Sequence, residues 1–312
     1  MKKVFTLFSF IIIASLAFLY YGQGTTKIEY SFYHWKSTYS VDANETKAPQ
    51  YVKVLDITYK NSFVLKKTSF ETIPRKTIVP VIYMDNPLWL KMKATTMVNK
   101  ILKSLKTLPI KYNEIQIDCD WTDRSRKSYF QFLKQLQQQS GKKISVTIRL
   151  HQVKYYKQTG VPPVDYGVLM YYNMSDFRDI ATKNYILDLA VAKQYHYNFD
   201  TYPLRLNLAL PLYSQATIMR FSQVVGLMEG LREEELNSNF KKLKEHLYRV
   251  EKTHYFKKRL FYEDDTVRVD EVSMKMLQKS IMLLRKVMKK PKKVIFYRWE
   301  NRKNYRQNSL SW

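Results

Sequence analysis

The chain has 312 residues, of which 45% are hydrophobic, and it carries 53 Lys and Arg against 27 Asp and Glu, a formal net charge of +26. The single cysteine, Cys119, excludes an intrachain disulfide, and the lack of a nucleic-acid-binding motif argues against nucleic acid as a partner. The charge then indicates either an acidic glycan or membrane surface as partner, or a general lysine bias with solvated basic clusters.

The chain begins with a short positive segment and an apolar run. Met1-Lys2-Lys3 precedes Val4–Tyr21, which is nearly as long as the roughly 20 residues that span a bilayer. The sequence predicts residues 1–22 to be a signal peptide or a signal anchor and leaves that choice open. The two lysines favour the cytoplasmic side, which places the rest of the chain in the periplasm or cell envelope, in contact with the membrane only through this segment.

Eight short segments are rich in β-branched and aromatic residues and bounded by turn residues, a pattern that predicts strands. In chain order they are Glu29–Trp35, Tyr51–Ile57, Thr77–Met84, Glu114–Trp121, Ile144–His151, Tyr166–Asn173, Arg205–Tyr213 and Val294–Trp299. Helical patterns lie between several of them, at Lys93–Leu105, Ser128–Gln139, Lys183–Tyr195 and Met274–Lys289.

Strands that alternate with helices indicate parallel βα units, and eight such units indicate a closed barrel. The predicted fold class is α/β, a (β/α)8 TIM-type barrel formed by a single domain, residues 28–312. Some helices are expected to be missing or short, because no helical pattern follows the first, second and fifth strands. The long link before the last strand is predicted to be an insertion, with a helix near Glu233–Lys252 and a hairpin-like stretch from Tyr255–Arg259 to Thr266–Val269.

Polar and apolar residues alternate along the fourth and fifth predicted strands. Because successive side chains of a strand point to opposite faces, one polar set is expected inside the barrel: Gln116, Asp118, Asp120, Thr147, Arg149 and His151. Buried charges need partners, and these residues can partner one another. Polar residues at the C-terminal ends of barrel strands usually belong to an active site. The alternative is an ion-pair network that closes the top of the barrel.

The ends of the other strands carry aromatic residues mixed with hydrogen-bonding groups. They are Tyr33-His34-Trp35, Tyr83-Met84-Asp85, Tyr171-Tyr172-Asn173, Tyr213 and Arg298-Trp299-Glu300. Aromatic rings can stack on the CH faces of a sugar while polar groups bind its hydroxyls. Several such residues at one barrel mouth predict a carbohydrate ligand.

Three segments resemble family 18 glycoside hydrolases, the chitinase-like barrels. Ile117-Asp118-Cys119-Asp120-Trp121 resembles the family's fourth-strand motif, D-x-x-D-x-D-x-E. Met170-Tyr171-Tyr172-Asn173 is similar to its sixth strand, and Leu208-Ala209-Leu210-Pro211-Leu212-Tyr213 to its seventh. The resemblance is closest to a poorly characterised bacterial group of exported glycosidase-like barrels, and it implies a barrel that acts on a poly- or oligosaccharide.

The same alignment shows departures from the family. It places Thr122 where the family has its catalytic glutamate and Ile115 at the first acidic position, and the glycine-rich third-strand signature is missing. Glycoside hydrolysis needs a group that stabilises positive charge at the anomeric carbon, and Asp120 is the candidate, with Asp118 as its neighbour. In family 18 the acetamido group of the substrate is the nucleophile, so the resemblance implies that no second enzyme carboxylate is needed. A proton donor would then come from Asp123, Glu300 or Asp85.

Two functions remain open from the sequence. One is glycoside hydrolysis, with Asp120, Asp118 and Asp123 as catalytic candidates. The other is a catalytically inactive barrel that binds a glycan or serves as an envelope scaffold. In either case the predicted substrate-binding residues are Tyr33, Trp35, Asp85, Trp121, Arg149, His151, Tyr172, Asn173, Tyr213, Trp299 and Glu300. No cofactor or metal is expected, because the histidines are scattered and Arg149 lies beside the acidic pair.

Overall fold

The computed structural model describes residues 27–42, 44–45, 47–304, 310 and 312. The predicted signal segment, residues 1–22, lies outside this part of the chain. Among the described residues, no helix is both long enough and apolar enough to cross a membrane.

The strands, in chain order, are β1 Glu29–His34, β2 Thr38–Tyr39, β3 Tyr51–Tyr59, β4 Phe63–Lys67, β5 Ser69–Phe70, β6 Val79–Met84, β7 Glu114–Asp118, β8 Lys143–Arg149, β9 Tyr166–Met170, β10 Leu206–Pro211, β11 Ser214–Arg220, β12 Gln223–Glu229, β13 Phe240–Lys244, β14 Leu247–Val250, β15 His254–Phe256, β16 Arg259–Phe261, β17 Thr266–Glu271 and β18 Lys293–Tyr297. The helices are α1 Leu88–Lys91, α2 Ala94–Lys106, α3 Asp123–Ser140, α4 Leu150–Lys154, α5 Tyr156–Thr159, α6 Leu189–Lys193 and α7 Met274–Leu284, with 3-10 turns at Glu233–Glu235 and Trp299–Asn304.

Eight parallel strands form a closed barrel in the order β1-β18-β10-β9-β8-β7-β6-β3, and β1 pairs with β3 to complete it. All eight predicted strands are present, and the predicted (β/α)8 fold class is confirmed. The short antiparallel strand β4 is added beside β3. As predicted, several connections have no helix or a short one: α4 and α5 together span little more than two turns.

The two faces of β7 show how alternation builds the barrel. Ile115 and Ile117 are fully buried in the main core, with which the apolar side of α3 also packs. On the other face, Gln116 accepts a hydrogen bond from the Tyr33 hydroxyl at 2.7 Å and donates to Ser145 Oγ at 3.3 Å. Because β1 and β7 are not neighbours in the sheet, the bond from Tyr33 must cross the barrel interior. The interior of the barrel therefore contains a polar network.

The predicted helix at Lys183–Tyr195 is mostly wrong, since only Leu189–Lys193 is helical. The Asn184 side chain accepts hydrogen bonds from the backbone N–H groups of Ile186 and Leu187, which stabilises a turn there. Asp188 then accepts from the N–H groups of the next residues and caps α6. Local side-chain bonds thus compete with the helix over its first half.

The link between β10 and β18 contains the predicted insertion, but the helix expected near Glu233–Lys252 is wrong. This segment forms the hairpin β13–β14, with His246 at its turn in a left-handed conformation, φ 62°. It belongs to a five-stranded antiparallel sheet in the order β12-β11-β17-β14-β13, with a hydrophobic core of its own that includes Phe240, Phe261 and Val269. The predicted hairpin stretch is divided, because β15 pairs with β16 whereas β17 joins the larger sheet.

Candidate functional site

A cavity of ≈ 180 Å³ opens at the C-terminal ends of the barrel strands. Eight of the residues predicted from the sequence line it: Tyr33, Trp35, Asp85, Asp118, Asp120, Arg149, Tyr172 and Asn173. A larger hollow, ≈ 1040 Å³, lies on the outer side of β1 between loops 41–50 and 73–78. It is remote from the strand ends that carry the polar cluster, so the smaller cavity is the candidate site.

Asp118 forms the floor of this cavity at the end of β7. Its carboxylate accepts a 2.6 Å hydrogen bond from Thr147 Oγ1 on the neighbouring strand β8. Burial and the nearby Asp120 carboxylate raise the pKa of Asp118 to about 6, against the smaller opposing effects of the Thr147 hydrogen bond and of the cations Arg149 and Lys53. Asp118 therefore exchanges its proton in the mildly acidic range.

Asp120 lies two residues beyond Asp118 and is paired with Arg149. The guanidinium donates from Nε to Oδ1 at 2.7 Å and from Nη2 to Oδ2 at 2.6 Å. Burial alone would lower the pKa of Arg149, but the two hydrogen bonds and the charge of Asp120 raise it above its ordinary value. The pair is partly open to solvent at the mouth of the cavity, with the Asp120 side chain 56% exposed. A bidentate pair of this kind fixes both groups in orientation.

Tyr297, at the end of β18, is the centre of the aromatic wall. Its ring stacks on Tyr172 with centroids 5.3 Å apart and makes edge contacts with Trp35 at 5.6 Å and Tyr213 at 5.5 Å. Tyr33 also contacts it, at 6.3 Å. These rings come from four different strand ends, so barrel closure is what assembles them.

Tyr83 was named in the sequence only as part of an aromatic strand end and Tyr297 was not named, and neither was among the predicted binding residues, although both line the cavity. Tyr83 lies two residues before Asp85, so strand alternation was a signal that could have identified it. Tyr297 was missed because the last strand was expected to continue to Trp299, whereas it ends at Tyr297.

Five predicted binding residues do not line the cavity. Tyr213 lies behind the wall and donates its hydroxyl proton to the Asn173 side chain. Trp121 packs on Tyr129 and donates from Nε1 to the Thr159 carbonyl at 3.2 Å. Trp299 packs against Phe32. The remaining two are His151, which lies exposed on α4, and Glu300.

The predicted alternative proton donors also differ in position. Asp123 is the first residue of α3, outside the cavity lining, with its side chain 76% exposed. Glu300 accepts a hydrogen bond from the Trp35 backbone N–H at 3.3 Å and lies 3.4 Å from Arg298 Nε, which holds it away from the lining. Asp85 does line the cavity. One of its carboxylate oxygens accepts from the Tyr59 N–H at 2.9 Å, and the other has no hydrogen-bond partner among the described residues.

Thr122 occupies the position aligned with the glutamate of family 18. It is the N-cap of α3 and forms a reciprocal capping box with Ser125. Its hydroxyl accepts a 3.3 Å hydrogen bond from Asn86 Nδ2 on the cavity wall. A helix cap thus stands where the family has its acid.

Within the part of the chain that the structure describes, no group of three or more His, Cys, Asp or Glu side chains is arranged to hold a metal ion. Cys119 is buried against Trp89, whose Nε1 donates to its sulfur at 3.2 Å, and burial raises the pKa of the thiol. A protonated buried thiol of this kind is a small core residue.

A comparison with protein-family models finds no match, and a comparison with curated proteins finds no significant one. Solved structures do match. The spore cortex-lytic enzyme SleL of Bacillus cereus is 13% identical with a TM-score of 0.53, over 87% of this chain and 70% of that one. The C-terminal domain of a candidate chitinase from Desulfitobacterium hafniense DCB-2 is also 13% identical with a TM-score of 0.53, over 88% of this chain and 94% of that one. At this identity the similarity concerns the fold: the chain has a (β/α)8 barrel like those of these two structures.

Proposed function

We propose that this protein is an extracytoplasmic barrel that binds an oligo- or polysaccharide in the cavity at the C-terminal ends of its strands. The observation that carries the proposal is the combination of an aromatic wall with a charged floor. Tyr172 and Tyr297 present rings, and Asp118 with the Asp120–Arg149 pair presents fixed hydrogen-bonding groups. Such mixed surfaces suit a sugar ring, which has apolar CH faces and polar edges.

The location outside the cytoplasm is part of the proposal and is supported by the sequence. Lys2 and Lys3 precede the apolar run Val4–Tyr21, in the arrangement of an export signal or anchor. The folded barrel follows it after a short spacer. A glycan of the cell envelope is then the ligand that the protein would encounter.

Binding is favoured over hydrolysis by the state of the carboxylates. Glycoside hydrolysis needs a proton donor close to the glycosidic oxygen and a group that stabilises positive charge at the anomeric carbon. Asp120, the candidate for the second role, is neutralised by Arg149. The proton donor is missing at the aligned position, because Thr122 stands there and caps α3. Both arguments point to a barrel that recognises a glycan without cleaving it.

Hydrolysis is retained as a second candidate because of Asp118 and Asp85. Asp118 has a pKa of about 6, which lets it hold a proton in mildly acidic solution. Asp85 lines the same cavity with one carboxylate oxygen unpaired among the described residues. Either could donate a proton to a substrate that lies deep in the cavity.

The test is a combined binding and turnover screen of the full-length protein, in a detergent without a sugar headgroup. Neutral, acetamido and acidic oligosaccharides are offered, and heat of binding and release of new reducing ends are measured. Binding without release is the expected result, and Asp120→Asn should weaken it at least ten-fold. Asp123→Asn is the matched control, because that carboxylate lies outside the cavity.

Release of reducing ends that is lost in Asp120→Asn would instead establish the hydrolase. If no oligosaccharide on the panel binds or reacts, the carbohydrate proposal is wrong.

A further inference from the structure

One lysine at the barrel mouth is surrounded by three tyrosines. Lys154 Nζ lies 5.1 Å from the ring centroid of Tyr155, 5.4 Å from that of Tyr195 and 5.1 Å from that of Tyr197. It also donates a 2.8 Å hydrogen bond to the Gln194 carbonyl. We refer to Lys154, Tyr155, Tyr195 and Tyr197 as the tyrosine rim.

The tyrosine rim is partly exposed, with Lys154 and Tyr195 half-buried and Tyr155 and Tyr197 exposed. The side chains of Tyr155 and Tyr197 are among the largest exposed apolar groups of the barrel, at 44% and 59% exposure. Cation–π contacts hold the three rings around the ammonium group, and Tyr195 also packs against the main core. Exposed aromatic clusters of this kind are uncommon on a surface that binds nothing.

Two connections fix the tyrosine rim relative to the cavity. Helix α4, which carries Lys154, begins directly after the cavity residue Arg149. Directly after the neighbouring strand β9, the Tyr171 hydroxyl lies 3.0 Å from His196 Nε2 in a hydrogen bond, and Tyr171 directly precedes the cavity residue Tyr172. The rim and the cavity therefore lie on the same end of the barrel, at the ends of β8 and β9.

The distribution of charge indicates the sign of a ligand at the rim. The insertion from Ser214 to Ser273 contains eleven Lys and Arg and eleven Asp and Glu, so it is neutral. The whole net charge of +26 therefore belongs to the remainder of the chain. Lys157 and Lys193, both exposed, lie close in sequence to the rim residues. With Lys154 they outnumber Asp188 and Asp200 on the same segments, and the resulting positive charge favours an anionic ligand.

We propose that the tyrosine rim is a second saccharide subsite, which takes an anionic sugar unit of a chain that also occupies the cavity. The CH faces of the sugar stack on Tyr155 and Tyr197, and its carboxylate faces the ammonium group of Lys154. The inference rests on the proposed glycan binding and adds the class of ligand: an acidic polysaccharide, of which the cavity binds one unit and the rim another.

The test compares short and long oligosaccharides with the full-length protein in a detergent without a sugar headgroup. The probes are digalacturonate, hexagalacturonate, chitobiose and chitohexaose, and affinities are measured by titration calorimetry. Hexagalacturonate should bind at least ten-fold more tightly than digalacturonate, because only the longer chain reaches the rim. Tyr197→Ala should remove this gain and leave the affinity for digalacturonate unchanged.

Lys154→Met tests the charge separately from the rings. It should abolish the preference for hexagalacturonate over chitohexaose and reduce the salt dependence of hexagalacturonate binding. Tyr255→Ala is the control, since Tyr255 is a tyrosine of the insertion with 76% exposure, on β15 away from the rim.

The failures of the two proposals are distinguishable. If a disaccharide binds but neither hexasaccharide binds more tightly than its disaccharide, the rim subsite alone is wrong. The rim subsite is also wrong if Tyr197→Ala lowers the affinities for digalacturonate and hexagalacturonate equally. The same holds if Lys154→Met still binds hexagalacturonate more tightly than chitohexaose. If none of the four probes binds, both the rim subsite and the proposed glycan binding are wrong.

Discussion

The guanidinium of Arg149 donates hydrogen bonds to both carboxylate oxygens of Asp120, at 2.7 and 2.6 Å. Asp120 follows β7 and Arg149 is the last residue of the adjacent strand β8, so the pair links these strand ends at the mouth of the cavity. It fixes the orientation of the Asp120 carboxylate and supplies positive charge next to Asp118. Asp118 and Asp120 are therefore electrostatically coupled, and a change of charge at Asp120 or Arg149 alters the pKa of Asp118.

Removing Arg149 tests this coupling. Arg149→Gln should raise the pKa of Asp118 further above about 6, because the nearby cation currently lowers it. The loss of stability at pH 7 should be only about 1 kcal/mol, because the pair is half-exposed and screened by solvent. The pKa is measured by NMR titration of the carboxyl carbon, and stability by urea denaturation.

Arg178→Gln is the control for this variant. It breaks an exposed pair with Asp176 and should leave both the pKa of Asp118 and the denaturation midpoint unchanged. An unchanged pKa of Asp118 in Arg149→Gln would show that the two residues are not coupled.

Asp118 should make the protein less stable as the pH rises. Its pKa is about 6 in the folded protein, against about 3.9 for an unperturbed aspartate, so the folded state holds the proton more tightly. The contribution of protonated Asp118 to the free energy of unfolding is complete below pH 4 and is lost as the pH rises through 6. Asp118→Asn keeps an acceptor for Thr147 and cannot ionise.

Between pH 4 and pH 7, the stability of Asp118→Asn relative to the native protein should therefore increase by on the order of 2 kcal/mol. Denaturant unfolding at several pH values measures the difference. Parallel pH profiles for the two proteins would contradict the raised pKa.

Tyr297 should be essential to the aromatic wall through its ring. Tyr297→Ala removes contacts with Tyr172, Trp35 and Tyr213 and should cost about 3 kcal/mol of stability. Tyr297→Phe retains the ring and should change stability by less than about 0.5 kcal/mol. Chemical denaturation compares the two variants. Equal losses would mean that the hydroxyl, and not the ring packing, stabilises the wall.

Arg268 should anchor the insertion to the barrel. Its side chain is 2% exposed, pairs with the buried Asp270, and donates to the carbonyls of Phe177 at 3.0 Å and Asp179 at 2.7 Å. Arg268→Met would leave the Asp270 carboxylate buried without its cation, at a cost of about 3 kcal/mol. Hydrogen exchange should increase in residues 174–188, which lose these donors.

The double variant Arg268→Met, Asp270→Leu is the control for that interpretation. Replacing both charges with apolar groups should restore much of the stability but not the protection of residues 174–188. If the single variant is as stable as the native protein, the ion pair does not anchor the insertion.

The sequence by itself determined the eight barrel strands and the inward polar face of two of them. Both depend on local signals, namely β-branched and aromatic composition and a two-residue alternation that places Asp118 with Gln116 and Thr147 with Arg149. These signals persist in the fold because each barrel strand is covered on one face and points into the interior on the other. The resemblance to chitinase-like barrels rested on the same strand ends.

Only the tertiary structure decided the insertion and the membership of the site. The segment at Glu233–Lys252 could be a helix or a hairpin, and the choice depends on a turn at His246 and on packing of Phe240 against Phe261 and Val269. Tyr297 and Lys154 acquire their neighbours from segments distant in sequence, which no periodic pattern records. Local patterns fix where strands form and which way they face, whereas contacts between distant segments depend on how the barrel closes.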